Sequence, residues 1–120
     1  MGYASVFRDG RFANQTHLVS GGGSGIGRCI AHELASLGAH VALIGRNKEK
    51  LDSVVAEIDA VGGVGSSYAL DIREEEGVRQ TIEKIVSDRG RIHGLVNNAG
   101  GQFPSPLSAI SKNGFATVVR

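Results

Sequence analysis

The chain has no tryptophan and only one cysteine, one methionine and two prolines in 120 residues. A single cysteine, Cys29, excludes an internal disulfide and a cysteine-based zinc site. Its place within an apolar-periodic stretch predicts a small buried side chain, and this cysteine usage fits the reducing cytoplasm. Charge of one sign is also lacking, with 13 Lys plus Arg against 12 Asp plus Glu. So even a balance argues against nucleic acid and against an anionic membrane surface as partners. No apolar run approaches the ~20 residues of a membrane span. Arg8, Asp9 and Arg11 interrupt any stretch resembling a signal peptide. The four histidines, His17, His32, His40 and His93, show no metal-ligand spacing and read as packing or surface residues, so no metal site is predicted.

Glycine, by contrast, is abundant: 18 residues, clustered at candidate turns. The richest cluster is Ser20-Gly21-Gly22-Gly23-Ser24-Gly25-Ile26-Gly27. It follows the apolar run His17-Leu18-Val19 and opens a periodic stretch of Ile26, Ile30, Leu34 and Leu37. A glycine-rich turn from strand into helix is a place to hold a phosphate. The first backbone N–H groups of a helix lack internal partners, and the helix dipole favours an anion there. Glycine lets the backbone approach the anion closely and permits positive φ.

The order along the chain is repetitive. Residues 1–15 read as a lead-in segment with Phe7 and Phe12 as anchors, and residues 16–120 as a partial dinucleotide-binding domain. Strands are predicted at about Thr16–Ser20, His40–Ile44, Ser66–Leu70 and His93–Asn97. Helices are predicted at about Gly25–Leu37, Lys48–Val61 and Glu74–Asp88, with Gly38, Gly62-Gly63 and Gly90 as stops. The second helix presents Leu51, Val54, Val55, Ile58 and Val61, and the third Val78, Ile82, Ile85 and Val86. Asp71 is placed to cap the third helix, with Glu74 at capping-box distance. A loop with Gly100, Gly101, Pro104 and Pro106 follows, and Ser111 caps a last helix still running at Arg120. Strands two and four are nearly continuous apolar runs, as expected when helices cover both sheet faces. The β-α-β-α-β-α-β pattern with right-handed crossovers gives an α/β, doubly wound parallel sheet of the Rossmann type. The expected strand order is 3-2-1-4, with the ligand crevice between strands one and four.

Two phosphate loops compete for the glycine cluster. Gly22 to Gly27 has P-loop glycine spacing, but Arg28 and Cys29 replace the phosphate lysine and the magnesium-binding hydroxyl. The strict G-x-G-x-x-G dinucleotide fingerprint also fails, because Ile26 or Arg28 falls at the third glycine. What remains is Gly21-x-x-x-Gly25-x-Gly27. This spacing resembles the T-G-x-x-x-G-x-G cofactor loop of the short-chain dehydrogenase/reductase family, with Ser20 in the threonine place. Asp71-Ile72 after strand three resembles the family's adenine-side acidic position, and Asn97-Asn98-Ala99-Gly100 matches its N-N-A-G. The resemblance covers about residues 12–120. It implies that Gly21, Ser24, Gly25, Ile26 and Gly27 hold the cofactor phosphates and Asp71 and Ile72 the adenine. Asn98, Ala99 and Gly100 then face the ribose and nicotinamide.

The residue after strand two selects the cofactor. A carboxylate about 20 residues past the glycine loop would bind the ribose hydroxyls of NAD. Here Gly45 and Arg46 stand there, and a guanidinium suits phosphate oxygens. The expectation is NADP(H), with Ser24 as a second phosphate contact. The resemblance also implies a catalytic Tyr-x-x-x-Lys, which the chain lacks: Tyr3 is followed at that distance by Phe7 and Tyr68 by Ile72. No catalytic residue is assigned. The chain reads as the first half of a longer, oligomeric enzyme with its C-terminal half missing, expected to be inert and poorly soluble by itself. The segment Gly100–Pro106 resembles that of the enoyl-CoA and dienoyl-CoA reductases of the family, with Phe103 placed to line a pocket. This implies an acyl-CoA-like small-molecule substrate. A 3-oxoacyl, alcohol or ketone reductase is the nearest alternative, and a non-catalytic dinucleotide-binding module the alternative from another class.

Overall fold

The computed structural model describes residues 4–98. Its elements run β1 (Thr16–Ser20), α1 (Gly25–Ser36), β2 (His40–Gly45), α2 (Lys48–Ala60), β3 (Val64–Ala69), α3 (Glu75–Arg89) and β4 (Gly94–Val96). The four strands form one parallel sheet in the order β3-β2-β1-β4. The expected order is therefore the observed one. Registers such as Leu18↔Ala42 and Leu18↔Leu95 bring the carboxyl ends of β1, β2 and β4 to one edge.

Alternation along the strands divides the core in two. Val19, Val41 and Leu43 meet Ala31, Ala35, Leu51, Val54 and Ile58 from α1 and α2. Leu18, Ala42 and Ile44 meet Ile85 of α3 on the opposite face, with Tyr68, Ile72 and Ile82 packed around them. β2 is buried from His40 through Ile44 because it has strands on both sides and helices on both faces. β4 spans three residues rather than five, and its Leu95 is 59% exposed.

The buried face of α1 differs from the expected one. Gly27, Ala31 and Ala35 are buried, whereas Ile30 and Leu34 are half-buried and Ile26 is 72% exposed. The small residues at i, i+4, i+8 let the helix lie close to the sheet, and the larger ones fill the flanks. Cys29, expected inside, is exposed. It lies two residues from both Gly27 and Ala31, so the helical twist of about 100° per residue turns it away from the sheet.

Three end effects also depart from expectation. α2 stops at Ala60, so Val61 leaves the apolar face and is 51% exposed. Val86 of α3 is 42% exposed, because Ile85 takes the sheet-facing position. Asp71 does not cap α3. Glu74 occupies the N-cap position without a side-chain cap, and Asp71 accepts a hydrogen bond from the Arg73 N–H at 2.9 Å instead. In the lead-in segment Phe12 packs on the core and donates its N–H to Leu37 O at 2.9 Å, but Phe7 is 61% exposed and anchors nothing.

A charged cluster ties α1 to α2. Arg28 donates to Glu57 Oε1 from Nε at 2.9 Å and to Oε2 from Nη2 at 2.5 Å, and His32 Nε2 lies 2.9 Å from Oε1. The Arg28 and His32 hydrogen bonds hold the Glu57 carboxyl down at about 2, against an ordinary 4.5. A carboxyl depressed by folding stabilises the native state above its unfolded pKa, and that contribution drains away as pH falls towards the folded value. Between pH 5 and pH 3 the melting temperature should therefore fall further in the native sequence than in Glu57→Gln. Parallel pH slopes in the two proteins would show that this cluster carries no linkage.

Candidate functional site

The site is assembled at the carboxyl edge of the sheet, where each strand hands over to its helix. β1 leads into the glycine turn, and two residues there adopt positive φ, Gly21 (+67°) and Gly25 (+56°). Gly21 donates its N–H to Ile44 O at 2.8 Å, which fixes the turn to β2. Ser24 is the N-cap residue of α1 in an extended conformation, with no side-chain cap. The first-turn N–H groups are thus left for an external acceptor. Ile26 stands exposed over the same turn.

The loop is locked to the end of β4. Ser20 Oγ donates to Val96 O at 3.2 Å and accepts from Asn98 N–H at 3.0 Å. Asn98 Nδ2 donates to Gly21 O at 3.2 Å. Gly27 sits where these three pieces meet: a Cβ there would lie 2.1 Å from Gly21 O and 2.6 Å from Asn98 Nδ2. The cradle is therefore shaped by backbone, and this junction has no room for a side chain. β1 and β4 are the neighbours at which the strand order reverses, so the loop borders the crevice expected of such sheets.

The second loop wall comes from β2 and α2. Leu51, 1% exposed, fills the space beside two glycines: its Cδ2 lies 3.5 Å from where a Cβ on Gly23 would sit and 3.3 Å from one on Gly45. Arg46 follows Gly45 directly and is exposed. It makes no hydrogen bond or ion pair among the described residues, although its charge helps depress the Asp71 carboxyl. Asp71 itself is engaged. The Arg73 guanidinium donates to Oδ1 at 3.1 Å and to Oδ2 at 2.8 Å, and this pairing, with the Arg73 N–H, holds the carboxyl at about 2. Ile72 is half-buried against the α3 side of the core.

The structure thus brings together Gly21, Ser24, Gly25, Ile26, Gly27 and Asn98 around one turn, with Arg46 and Asp71 at the neighbouring strand ends. Ala99, Gly100, the 100–106 segment and the helix expected after Ser111 lie outside the described residues. A cavity of about 290 Å³ lined by Gly38, Gly62, Gly63 and His32 lies at the opposite, amino edge of the sheet and has no part in this site. Two contributors went unassigned in the sequence. Ser20 carried a signal, the hydroxyl retained in the threonine place. Leu51 carried none, since a leucine on an apolar helix face reads as ordinary core. Among the described residues no cluster of three or more His, Cys, Asp or Glu side chains is arranged for a metal. No helix there is long and apolar enough to cross a membrane.

A parallel sheet of order 3-2-1-4 with an uncapped, glycine-lined helix start at its switch point defines a Rossmann-type dinucleotide-binding fold. The sequence model described as short chain dehydrogenase matches residues 15–120, and the chain belongs to that family. It is 38% identical over 116 residues to a probable 2,4-dienoyl-CoA reductase of Caenorhabditis elegans, covering 95% of this chain and 38% of that protein. Among solved structures it resembles a citronellol catabolism dehydrogenase of Pseudomonas aeruginosa PAO1, with 59% identity, a TM-score of 0.86, and 97% of this chain against 47% of that one. A metagenomic short-chain oxidoreductase in complex with NADP matches with 37% identity and a TM-score of 0.80, over 89% of this chain and 49% of that one. The chain spans less than half the length of each of these relatives.

Proposed function

We propose that this chain is the NADP(H)-holding half of an oxidoreductase that moves hydride between the nicotinamide ring and a carbonyl or enoyl carbon of an acyl-CoA-like substrate. The observation that carries the cofactor choice is Arg46, exposed at the end of β2, without an ion pair among the described residues and with no carboxylate at Gly45 to repel a 2′-phosphate. The α1 start and its glycines accept the pyrophosphate, with Ser24 and Ile26 over it. Ile72 and the Asp71 carboxylate flank the adenine, the latter through acceptor capacity that Arg73 leaves open. Asn98, Ala99 and Gly100 border the ribose and nicotinamide. The bound cofactor supplies the hydride; the residues named here bind and orient it.

Arg46→Ala in the complete protein is expected to weaken NADPH about tenfold or more and to leave NADH nearly unchanged, since only the phosphate contact is removed. Titration by nicotinamide fluorescence reads both affinities. Equal binding of NADPH and NADH by the native protein would overturn the cofactor choice.

The likeness to dienoyl-CoA reductases supports an acyl thioester as substrate. The 59% likeness to a citronellol catabolism dehydrogenase favours a second reading, oxidation of an acyclic alcohol by the same cofactor. Assay of the complete protein with enoyl-CoA, 3-oxoacyl-CoA, simple ketones and citronellol separates the two. Cofactor binding without turnover of any of them would point instead to a non-catalytic dinucleotide-binding module. The complete protein is taken to be a homo-oligomer of the cytoplasm, which gel filtration and cell fractionation test.

A further inference from the structure

The amino edge of the sheet carries histidines that the cofactor site does not use. His17 lies in β1, His40 opens β2, and His93 immediately precedes β4. His93 meets β1 through both its backbone and its ring. Its N–H donates to Thr16 O at 2.8 Å, and its Nδ1 accepts the Thr16 N–H at 3.0 Å. Thr16 is buried, so this N–H would carry a desolvation penalty without that acceptor. The imidazole thus takes the part of a ladder carbonyl just where β4 begins, and an imidazole nitrogen accepts only while it carries no proton. β4 is a short strand. It pairs with β1 over three residues, Gly94 to Val96, and β1 is its one strand neighbour among the described residues. Beyond its other end lies the glycine turn: Val96 O and the Asn98 N–H meet Ser20 Oγ, and Asn98 Nδ2 donates to Gly21 O. The same short strand therefore links His93 to the floor of the turn.

We propose that His93 is a positioning residue for the cofactor site: its neutral imidazole fixes the start of β4 on β1, β4 in turn holds Asn98 against Ser20 and Gly21, and a proton on Nδ1 loosens both. The inference rests on the reading that this turn holds a dinucleotide. The titratable and charged groups at this edge give a charged His93 no anionic partner. The His17 ring lies on the Gly94 backbone, where a Cβ would stand 2.3 Å from its Nδ1, and burial and the nearness of His93 push its pKa below the ordinary 6.5. Burial and Arg89, at the end of α3, do the same to His40. No carboxylate pairs with His17, His40 or His93 among the described residues. Histidines held low by the fold stabilise it fully above pH 6.5 and lose that contribution as pH falls towards their folded values, so His17 and His40 act in the same direction as His93.

The test compares the complete native protein with His93→Asn and His93→Phe. Asn carries an acceptor oxygen two bonds from Cβ, as the histidine carries Nδ1, and does not titrate; Phe keeps a ring and has no acceptor. In calorimetric titrations at about pH 7.5, His93→Phe is expected to bind NADP+ about three- to tenfold more weakly, and His93→Asn like the native protein. From about pH 7.5 to about 5.5 the native protein should lose about three- to tenfold more affinity than His93→Asn. Amide hydrogen exchange supplies a readout that needs no ligand: Thr16 and Asn98 should both lose protection in His93→Phe and keep it in His93→Asn. Faster exchange at Thr16 alone, with Asn98 and NADP+ binding unchanged, would confine His93 to its own end of the strand and overturn the positioning role while the cofactor reading stands. Equal losses in the two variants, or parallel pH profiles in the native protein and His93→Asn, also overturn it. If the native protein binds no dinucleotide, the cofactor reading falls, and Asn98 protection still decides whether His93 positions the turn. Should His93→Phe fail to fold, the pH comparison between the native protein and His93→Asn decides by itself.

Discussion

Gly27→Ala should cost the complete protein at least about a hundredfold in NADPH affinity, more than any other single methyl group added at the site. The added Cβ would lie 2.1 Å from Gly21 O and 2.8 Å from Gly21 C, and both of those atoms are backbone. No rotamer relieves that overlap. Relief requires the Gly21 carbonyl to swing away from α1, which breaks its hydrogen bond from Asn98 Nδ2 and moves the turn off the helix start. Overpacking of this kind costs about 1–3 kcal/mol of stability as well. Gly25→Ala is the useful contrast. Nothing lies within 4 Å of a Cβ there, but φ is +56°, so within the protein the change imposes only the left-handed strain of about 1 kcal/mol, and any further loss in NADPH affinity reports the close approach of the phosphates to this turn. Titration with NADPH and urea unfolding of both variants would read the difference. Gly27→Ala binding within a few-fold of the native protein would mean that the turn is softer than the geometry requires.

Leu51→Ala is expected to be the most destabilising change next to the site, about 2–5 kcal/mol by urea unfolding. Leu51 is 1% exposed and belongs to the core cluster between the sheet and α1 and α2. It also fills the space left by Gly23 and Gly45, so its removal loosens the phosphate loop together with the core. A double-variant cycle isolates this second role. A Cβ on Gly45 would stand 3.3 Å from Leu51 Cδ2, tight in the native protein but roomy once that methyl is gone. Gly45→Ala should therefore be better tolerated in the Leu51→Ala background than alone. Simple additivity, or a Leu51→Ala loss below about 1 kcal/mol, would show that Leu51 does not wedge the two glycines.

Much of this fold was legible in the sequence because its signals are local. Thr16–Ser20 emerges with the expected bounds, and α1, α2 and α3 end within a residue or two of expectation at Gly38, Gly62 and Gly90. All three stops adopt positive φ, a property of glycine itself that needs no tertiary partner. The departures from expectation have separate causes. Ile26, Ile30 and Leu34 mark an apolar stripe on α1, yet the helix turns its smallest residues, Gly27, Ala31 and Ala35, to the sheet. Hydrophobicity ranks side chains by transfer from water, whereas close helix–sheet contact ranks them by size. Cys29 is small but lies two positions from both Gly27 and Ala31, so helical phase and not size keeps it outside. A capping-box spacing fits Asp71, but Arg73 is close enough to take its carboxylate first.

By itself, the sequence determined the element order, the glycine turn at the start of α1, the absence of a carboxylate after β2 and the arginine that stands there. These are properties of neighbouring residues and need only backbone stereochemistry and charge. The tertiary structure alone decided how the site is held. Ser20 joins Asn98 across 78 positions of sequence, Gly27 is closed in by Gly21 of its own turn and by Asn98 from beyond the end of β4, and Leu51 keys α2 to the loop. Such contacts depend on which strands become neighbours and in what register. In a parallel sheet that register is fixed by packing on both faces at once, a property of the assembled core that no local pattern encodes.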